Sequence, residues 1–300
     1  MNEIKSFTVR RLLHKAFNHH YYPSVYYCVD EMRHVQRNHT GKHRVISFGV
    51  NNLGKRKVTS KVSFLKDSSV PSLVDLRPTL LNGGFKVFDQ GQQGSCTANC
   101  GSADKAYDEI VRGDYPSPFS RAFLYYQERV IEGSTDGDNG ANMETIGLAL
   151  AKYGVCLDNM MPYNDQDYST TPNSNDYSNA LSWVSAPTQQ QLTVDQVKAT
   201  LYQSQYPVRF GTPIPKSYVS NIGGWIPVPK KKEEILGGHA LLIVGYNDAL
   251  SDPNGNNAGY YIILNSWGLQ EGDQGFDYVP YEFMNIYASQ IEFWQQLNRP

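Results

Sequence analysis

The sequence predicts an α+β fold in which a helical lobe is followed by an antiparallel, barrel-like β lobe, with an N-terminal extension before both. Apolar and small residues recur at intervals of three and four along residues 96–112, which is the spacing of one helix face. Apolar runs at residues 239–247 and 259–265 are typical of buried strands. We therefore place the extension at residues 1–69, the helical lobe at about 70–185 and the β lobe at about 186–300.

Signals for helix starts and for strands divide each lobe further. Ser120 is a favourable N-cap for a helix through Glu132, whereas residues 164–180 are rich in Asn, Asp, Ser and Thr and predict a surface loop. In the second lobe, Thr193 and Gln196 form a capping box ahead of a helix to about residue 203. The predicted strands are residues 206–214, 224–228, 239–247, 259–265 and 275–279.

The charge of the chain changes sign near residue 70. Residues 1–70 carry 13 Lys and Arg against 4 Asp and Glu, a balance of +9, and six of the seven histidines lie in the first 43 residues. Residues 71–300 carry 14 Lys and Arg against 25 Asp and Glu, a balance of −11. A basic extension is attracted to an acidic body or to another anionic partner.

Composition excludes several classes of protein. No apolar run approaches the ~18 residues of a transmembrane helix, and the N-terminus lacks the apolar core of a signal peptide. The four cysteines, at 28, 96, 100 and 156, show no disulfide framework and no paired spacing for zinc. We therefore expect an intracellular protein in a reducing compartment, with no membrane partner, no metal and no cofactor.

Residues 89–100 combine the features of a nucleophile loop. Gly91 and Gly94 allow a tight backbone, and Ser95 is a candidate N-cap for the helix that begins at Cys96. A thiol on the first helical turn faces unpaired N–H groups and the positive end of the helix dipole, and both favour thiolate. The amide of Gln90, six residues upstream, is a hydrogen-bond donor on the same loop.

A base for such a thiol is easy to identify. His239 is the only histidine C-terminal to Cys96, and it stands between a glycine turn and an apolar run. The next predicted strand ends at Asn265. If the two strands are neighbours, the Asn265 amide oxygen holds one imidazole nitrogen of His239, and Trp267 shields that hydrogen bond from water.

Three motifs occur in a fixed order: Gln-Gly-x-x-Gly-Ser-Cys at residues 90–96, Gly-His-Ala at 238–240 and Asn-Ser-Trp-Gly at 265–268. Together they resemble the papain-like cysteine peptidases of the cathepsin type, over about residues 70–300. Three separated motifs in the right order make this resemblance specific. Cys-Thr-Ala-Asn at residues 96–99 is most similar to a branch found in bacteria and large DNA viruses.

The resemblance implies a papain-like fold of two lobes and the hydrolysis of peptide bonds in proteins or peptides. It implies that Cys96 is the nucleophile, that His239 is the acid and base, and that Asn265 orients His239. The Gln90 amide and the Cys96 N–H would stabilise the oxyanion. The substrate-binding residues that it implies are Asn139, Gly140, Ala141, Gly238 and Trp267.

Two departures from the family pattern bear on the site. Gln93 and Asp138 stand where secreted relatives carry a cystine pair, so we expect a fold without that bridge. Glu271 stands where a second tryptophan usually packs over the asparagine, which bears on how well the bond between His239 and Asn265 is shielded.

The extension is interpreted as an inhibitory prosegment on the acidic catalytic domain, because the family makes its enzymes with such segments. The chain would then be an endopeptidase made as an autoinhibited precursor. An extended aromatic strip at residues 21–27 is a candidate to occupy the substrate cleft. The extension lacks the spaced helix pattern of the common cathepsin propeptide, so that inhibitory geometry does not carry over.

Several alternatives to these interpretations stay open. The extension would otherwise be a solvated arm, or would attach the protein to a particle surface or, less favoured, to nucleic acid. The whole chain would otherwise be a non-catalytic papain-like binding module whose arm permanently fills the cleft, or an enzyme that transfers an acyl group to an amine. A viral factory or a virion is a further location if the chain is viral.

Overall fold

The structure is a computed structural model that describes residues 33–37, 43–51, 70–185, 187–255, 258–288 and 290–296. The aromatic strip at residues 21–27 lies outside the described residues. The α-helices are α1 (Arg77–Asn82), α2 (Cys96–Arg112), α3 (Arg121–Glu132), α4 (Met143–Lys152), α5 (Ser174–Ala180), α6 (Val194–Ser204), α7 (Lys216–Val219) and α8 (Tyr281–Tyr287). The strands are β1 (Arg33–Arg37), β2 (His43–Ser47), β3 (Val50–Asn51), β4 (Leu73–Asp75), β5 (Ala141–Asn142), β6 (Pro187–Gln191), β7 (Val208–Pro215), β8 (Ile235–Ser251), β9 (Ala258–Leu264), β10 (Phe276–Pro280) and β11 (Gln290–Gln296).

Helix α2 is the central helix of the helical lobe. It begins at Cys96 and ends at Arg112 as predicted, and it is buried from its first residue to Glu109, with α3, α4 and β8 packed around it. Helix α3 also starts as predicted, because the Ser120 side chain accepts the N–H of Phe123. Among the described residues, no helix is long and apolar enough to cross a membrane.

The β lobe is built on one antiparallel sheet of seven strands. Its order is β10-β9-β8-β7-β11-β6, and β4 also pairs with β8. On one side of β8, Thr212 of β7 lies opposite His239, and on the other side Leu264 of β9 lies opposite Leu242. Asn265 directly follows β9, so it lies beside the part of β8 that carries His239.

Two local predictions are wrong, and the predicted strands include none of β1 to β6 and not β11. Residues 224–228 are not a strand, because Gly223 and Gly224 adopt left-handed conformations that interrupt the extended backbone. The predicted loop at residues 164–180 contains helix α5, which starts where the Asn173 side chain accepts two backbone N–H groups. Strands β6 and β11, which pair with each other at the end of the sheet, carry few of the apolar alternations that identify strands.

Two short strands from the N-terminal part of the chain join the body at different places. Strand β3 pairs in parallel with β5, through Val50 opposite Ala141 and Asn51 opposite Asn142. Strand β4 pairs antiparallel with β8 and so becomes part of the main sheet. Within the part of the chain that the structure describes, strands β1 and β2 pair with each other and with no other strand.

Candidate active site

The loop before Cys96 is held by an acidic side chain. The N–H of Gly94 donates to both carboxylate oxygens of Asp138, at 2.9 and 3.0 Å, and the Tyr125 hydroxyl donates to the same carboxylate at 2.6 Å. Asp138 and Gln93 are the positions where the resemblance places a cystine pair. Charge-assisted hydrogen bonds therefore join the loop to Asp138 without a disulfide.

The Ser95 side chain does not cap α2, so that prediction is wrong. Its hydroxyl pairs with the Tyr163 hydroxyl at 2.6 Å and accepts from the Asn99 amide at 3.1 Å. Tyr163 in turn donates to the Gln90 carbonyl at 2.8 Å. Ser95 therefore stabilises the loop through Tyr163, and helix α2 begins at Cys96 without a side-chain hydrogen bond from Ser95 to its backbone.

The Gln90 side chain joins the thiol loop to the sheet. Its Nε2 donates to the Gln93 carbonyl at 3.0 Å, and its Oε1 accepts from the Ser266 hydroxyl at 2.6 Å. Ser266 follows Asn265 at the end of β9, so the two bonds tie together the two halves of the site. They fix the plane of the amide that is predicted to stabilise the oxyanion.

The imidazole of His239 lies beside Asn265, and the residue that follows His239 contacts the thiol. Its Nε2 is 3.0 Å from the Asn265 Oδ1, and the Trp267 indole stacks on the ring with centroids 4.8 Å apart and planes at 17°. Its Nδ1 is buried and makes no hydrogen bond within the described part of the chain. The Cys96 sulfur accepts the N–H of Ala240, the residue after His239. The His239 side chain thus reaches Asn265, and the backbone next to His239 reaches Cys96.

Residues 48–51, hereafter the cleft segment, lie across this site. The N–H of Gly49 donates to the Cys96 sulfur, and the Gly49 carbonyl accepts the Ala141 N–H at 2.7 Å. The Phe48 ring meets the rings of His239 and Trp267 edge-on, each at a centroid distance of 6.1 Å. Cys96 and His239 are therefore covered by a segment from the N-terminal part of the same chain.

Family membership follows from a pattern that spans most of the chain. The sequence model of the protein family described as Papain family cysteine protease matches residues 70–289 of this chain. The chain belongs to the papain family of cysteine proteases. The family and the α+β papain-like fold that the three motifs predict are therefore confirmed.

The relatives of this papain-family chain include a viral and a bacterial protein. A peptidase C1-like protein of Acanthamoeba polyphaga mimivirus is 29% identical over 264 residues, covering 83% of this chain and 81% of the relative. Xylellain, a cysteine protease from Xylella fastidiosa, is 28% identical with a TM-score of 0.70, covering 84% of this chain and 99% of xylellain. The ragweed pollen allergen Amb a 11 in its proform shares the fold at 18% identity and a TM-score of 0.62, covering 80% and 69%.

Burial dominates the electrostatics of the thiol and imidazole in this papain-family protein. It raises the pKa of the Cys96 thiol to about 12, although hydrogen bonds from Ala240 and Gly49 act to lower that pKa. It lowers the pKa of His239 to about 4, although the bond to Asn265 acts to raise it. The predicted thiolate is therefore wrong for this covered state, because desolvation outweighs the helix N-terminus.

Three of the predicted substrate-binding residues contact the cleft segment directly. Besides the bond from Ala141, the Asn139 carbonyl accepts the Asn51 side-chain amide at 2.8 Å. A Cβ at Gly140, which has a φ of 69°, would lie 2.1 Å from the Gly49 carbonyl oxygen. This strip pairs with extended backbone, and the backbone that it holds here belongs to the same chain.

The other two predicted substrate-binding residues have different surroundings. Trp267 is buried against His239, and Gly238 pairs with Pro213 between β7 and β8. The neighbouring Gly237 is the glycine that faces the cleft segment, since a Cβ there would lie 2.7 Å from the Phe48 Cβ. Sequence reasoning missed Gly237 because the motif points to the residue that directly precedes the histidine.

Sequence reasoning also missed a buried carboxyl behind Asn265. The Asn265 Nδ2 donates to the Asp277 Oδ2 at 2.7 Å, and the Tyr218 hydroxyl donates to the same oxygen at 3.0 Å. All three side chains are buried. The available signal was an aspartate inside the apolar strand at residues 276–280, where an unpaired carboxyl is costly.

Proposed function

We propose that this chain is a cysteine peptidase that hydrolyses peptide bonds through Cys96, His239 and Asn265, and that its N-terminal extension keeps it inactive as a precursor. One observation carries the proposal. The Cys96 sulfur accepts the N–H of the residue after His239, while the Nε2 of His239 lies 3.0 Å from the Asn265 Oδ1. A nucleophile, a base and a group that orients the base are the parts that such chemistry needs.

The chemistry follows from these positions once the cleft is open to water. His239 takes the proton of the Cys96 thiol, and the thiolate attacks a peptide carbonyl carbon. The Cys96 N–H and the Gln90 amide stabilise the oxyanion, and one such donor lowers the barrier by roughly 3 kcal/mol. His239 then protonates the leaving amine, and it later activates the water that hydrolyses the acyl-enzyme.

The orientation of the cleft segment supports its role as an inhibitor that is not cut. The N–H of Gly49 points at the Cys96 sulfur, and in a trans peptide the Phe48 carbonyl points the opposite way. The Gly49 carbonyl is occupied by the Ala141 N–H. No carbonyl of this peptide is therefore turned towards the thiol for attack.

The direction of the cleft segment supports the same interpretation. In a substrate, the amine that His239 protonates belongs to the C-terminal product, so the residue after the cut lies beside His239. In the cleft segment, the residue beside His239 is Phe48, whereas the residues after Gly49 lie beside Ala141. The segment thus runs in the opposite direction to a substrate that could be cleaved.

A hydrolysis assay tests the proposal. The full chain is incubated with an unfolded protein, with Cys96→Ser as the control, and the products are sized by mass spectrometry. We expect a lag, then internal cleavage together with loss of the N-terminal extension, and a rate at least about 10³-fold lower for the control. A chain that cuts nothing, and whose Cys96 stays unmodified by a thiol-directed epoxide, contradicts the proposal.

The second candidate is a non-catalytic binding module with a permanently filled cleft. The complete burial of Cys96 and the raised pKa of its thiol favour it. In that case the extension stays intact during long incubation, and variants that weaken its docking yield neither hydrolysis nor labelling of the thiol. The same assay with an added amine would detect acyl transfer, through a product that carries the amine.

A further inference from the structure

Behind the catalytic-type histidine lies a continuous chain of buried polar groups. It runs from the Tyr218 hydroxyl to the Asp277 carboxyl, from there to the Asn265 amide, and finally to the His239 imidazole. The three contacts measure 3.0, 2.7 and 3.0 Å, and all four side chains are buried. Of the four, only His239 and Asn265 belong to the family motifs.

We infer that Asp277 is a positioning residue of the active site, whose carboxyl holds the Asn265 amide with its oxygen towards His239. The inference rests on the proposed function, because it concerns how the same histidine is oriented. Within the described part of the chain, the Asp277 carboxyl accepts hydrogen bonds from Asn265 and Tyr218 and from neither Cys96 nor His239, so we expect it to act through Asn265.

An asparagine in this place needs such a partner because its amide has two unlike ends. The oxygen accepts a hydrogen bond from a protonated Nε2 of His239, whereas the NH2 group, if turned to the same place, would meet that N–H with another donor. The two orientations have almost the same shape, so packing alone does not select between them. A carboxylate, which only accepts hydrogen bonds, selects the orientation that turns the NH2 group towards itself.

The surroundings fix both ends of the amide. The Ser266 N–H donates to the Asn265 Oδ1 at 2.7 Å, on the same oxygen that faces His239. At the other end, Asp277 is held by its strand, since it pairs with Ile263 of β9, two residues before Asn265. The Tyr218 hydroxyl on α7 holds the carboxyl from the far side.

The Asp277 carboxyl lies at the place where the chain departs from the family pattern, because its pKa is affected by Glu271. That residue takes the place of a tryptophan that would pack over the asparagine, and it is itself buried. Burial raises the pKa of Asp277 to about 7, repulsion from the Glu271 carboxylate adds to the rise, and the bonds from Asn265 and Tyr218 lower it. The Asp277 Oδ2 accepts the Asn265 NH2 in either protonation state, as a carboxylate oxygen or as a carbonyl oxygen.

Kinetics of full-chain variants test the inference. Asp277→Ala should lower kcat by roughly 10- to 100-fold and change KM less than threefold, because the amide loses the bond that orients it. Asp277→Asn keeps an oxygen that accepts the Asn265 NH2, so most of kcat should return. Tyr218→Phe removes the other donor to the carboxyl but keeps the bond between Asp277 and Asn265, so it should lower kcat less than Asp277→Ala does.

A double variant separates positioning from a general structural role. If Asp277 acts only through Asn265, adding Asp277→Ala to Asn265→Ala should lower kcat no further. Fully additive losses, or a kcat for Asp277→Ala within threefold of the wild type, would overturn the inference. Rates are expressed per active site, titrated with a thiol-directed epoxide, so that partial misfolding does not imitate a loss of kcat.

A second readout does not depend on hydrolysis. In the full chain with ¹⁵N-labelled histidine, the Nε2–H proton of His239 should exchange slowly with water, and its signal is assigned by its loss in His239→Gln. Asp277→Ala should make that proton exchange at least about tenfold faster, and Asp277→Asn should restore it. If no form hydrolyses peptides, the proposed function fails while this spectrum still decides the inference; an unchanged exchange rate in Asp277→Ala overturns it.

Discussion

Strands β3 and β4 are both short, both come from the N-terminal part of the chain, and each carries one buried valine. Val50 of β3 is 6% exposed and Val74 of β4 is 7% exposed. Strand β4 forms three antiparallel residue pairs with β8, and the Leu76 N–H next to it donates to the Val244 carbonyl at 2.8 Å. Strand β3 forms only two pairs, in parallel, and both lie in the cleft.

The difference shows that two equally buried valines can have different roles, one in the stability of the fold and one in covering the cleft. Strand β4 extends the main sheet on its longest strand, so its contacts stabilise the fold. The cleft segment around β3 contacts Cys96, His239 and Ala141, which are the groups that a peptide substrate would need. We therefore expect changes in β4 to alter the free energy of unfolding, and changes in the cleft segment to alter access to the thiol.

The largest expected difference between the two strands is their response to acid, which should weaken the docking of β3. Burial lowers the pKa of His239 to about 4, against an ordinary value of 6.5. Between these pH values the His239 imidazole is therefore protonated when the cleft is open and neutral when it is covered. Docking of β3 is thus fully favoured above pH 6.5 and loses up to about 3 kcal/mol as the pH falls to 4. Hydrogen exchange of the Ala141 N–H in Cys96→Ser, corrected for intrinsic rates, measures this loss.

The control for the acid effect is His239→Gln in the same background. The glutamine does not titrate, so protection of the Ala141 N–H should stay level between pH 6.5 and 4. Protection that falls equally in both variants would assign the effect to other groups, and protection that rises on acidification would contradict the sign of the argument.

The next largest effect is expected from Gly49→Ala. A Cβ at this position would lie 1.7 Å from the Gly94 carbonyl oxygen, so the cleft segment no longer fits against the thiol loop. Overpacking of about 1–3 kcal/mol should raise the initial rate of peptide hydrolysis by the full chain roughly 10- to 100-fold. An initial rate equal to that of the wild type would show that this segment does not limit access to Cys96.

Val50→Ala and Val74→Ala form a matched pair. Each removes the same atoms from a buried site, at a cost of roughly 1–3 kcal/mol. We expect Val74→Ala to lower the free energy of unfolding in urea without raising the initial hydrolysis rate. We expect Val50→Ala to raise that rate roughly 5- to 50-fold, with a smaller change in unfolding. A higher hydrolysis rate in Val74→Ala, with no change of the rate in Val50→Ala, would contradict the different roles of β3 and β4.

The smallest effect is expected from Asn51→Ala. Its side-chain amide makes one neutral hydrogen bond to the Asn139 carbonyl at 2.8 Å, and the site is only partly buried. Such a bond is worth about 0.5–1.5 kcal/mol, so the initial hydrolysis rate should rise roughly two- to tenfold. A change as large as that of Gly49→Ala would mean that side-chain bonds, and not the close approach of the backbone, hold the cleft segment.

The parts of the molecule that the sequence predicts well are those set by local patterns. Helix α2 begins and ends where its apolar spacing indicates, at Cys96 and Arg112. The loop with Gln90 lies just before α2 and Asn265 directly follows β9, whereas His239 lies inside β8, which begins four residues before the predicted strand. Their positions could be predicted because each motif is local, and the antiparallel pairing of β8 with β9 needed only one assumption about neighbouring strands.

The rest depends on contacts between distant segments. The cleft segment has no periodicity, and its place is set by the fit of Gly49 against Gly94, which no local pattern reveals. Asp277 reaches Asn265 through the register between β9 and β10. The thiolate was expected from the local sequence pattern, whereas the degree of burial that raises the Cys96 pKa exists only in the folded chain.

The rate at which a thiol-directed epoxide labels Cys96 in the intact full chain tests the central claim most directly. The wild type is compared with Gly49→Ala at neutral pH, and the site and extent of labelling are read by mass spectrometry. We predict labelling at Cys96 alone in both, at least about tenfold slower in the wild type because the cleft segment covers the thiol. Equal rates, or no labelling of Cys96 in either protein, would contradict a cysteine peptidase held inactive by its own N-terminal extension.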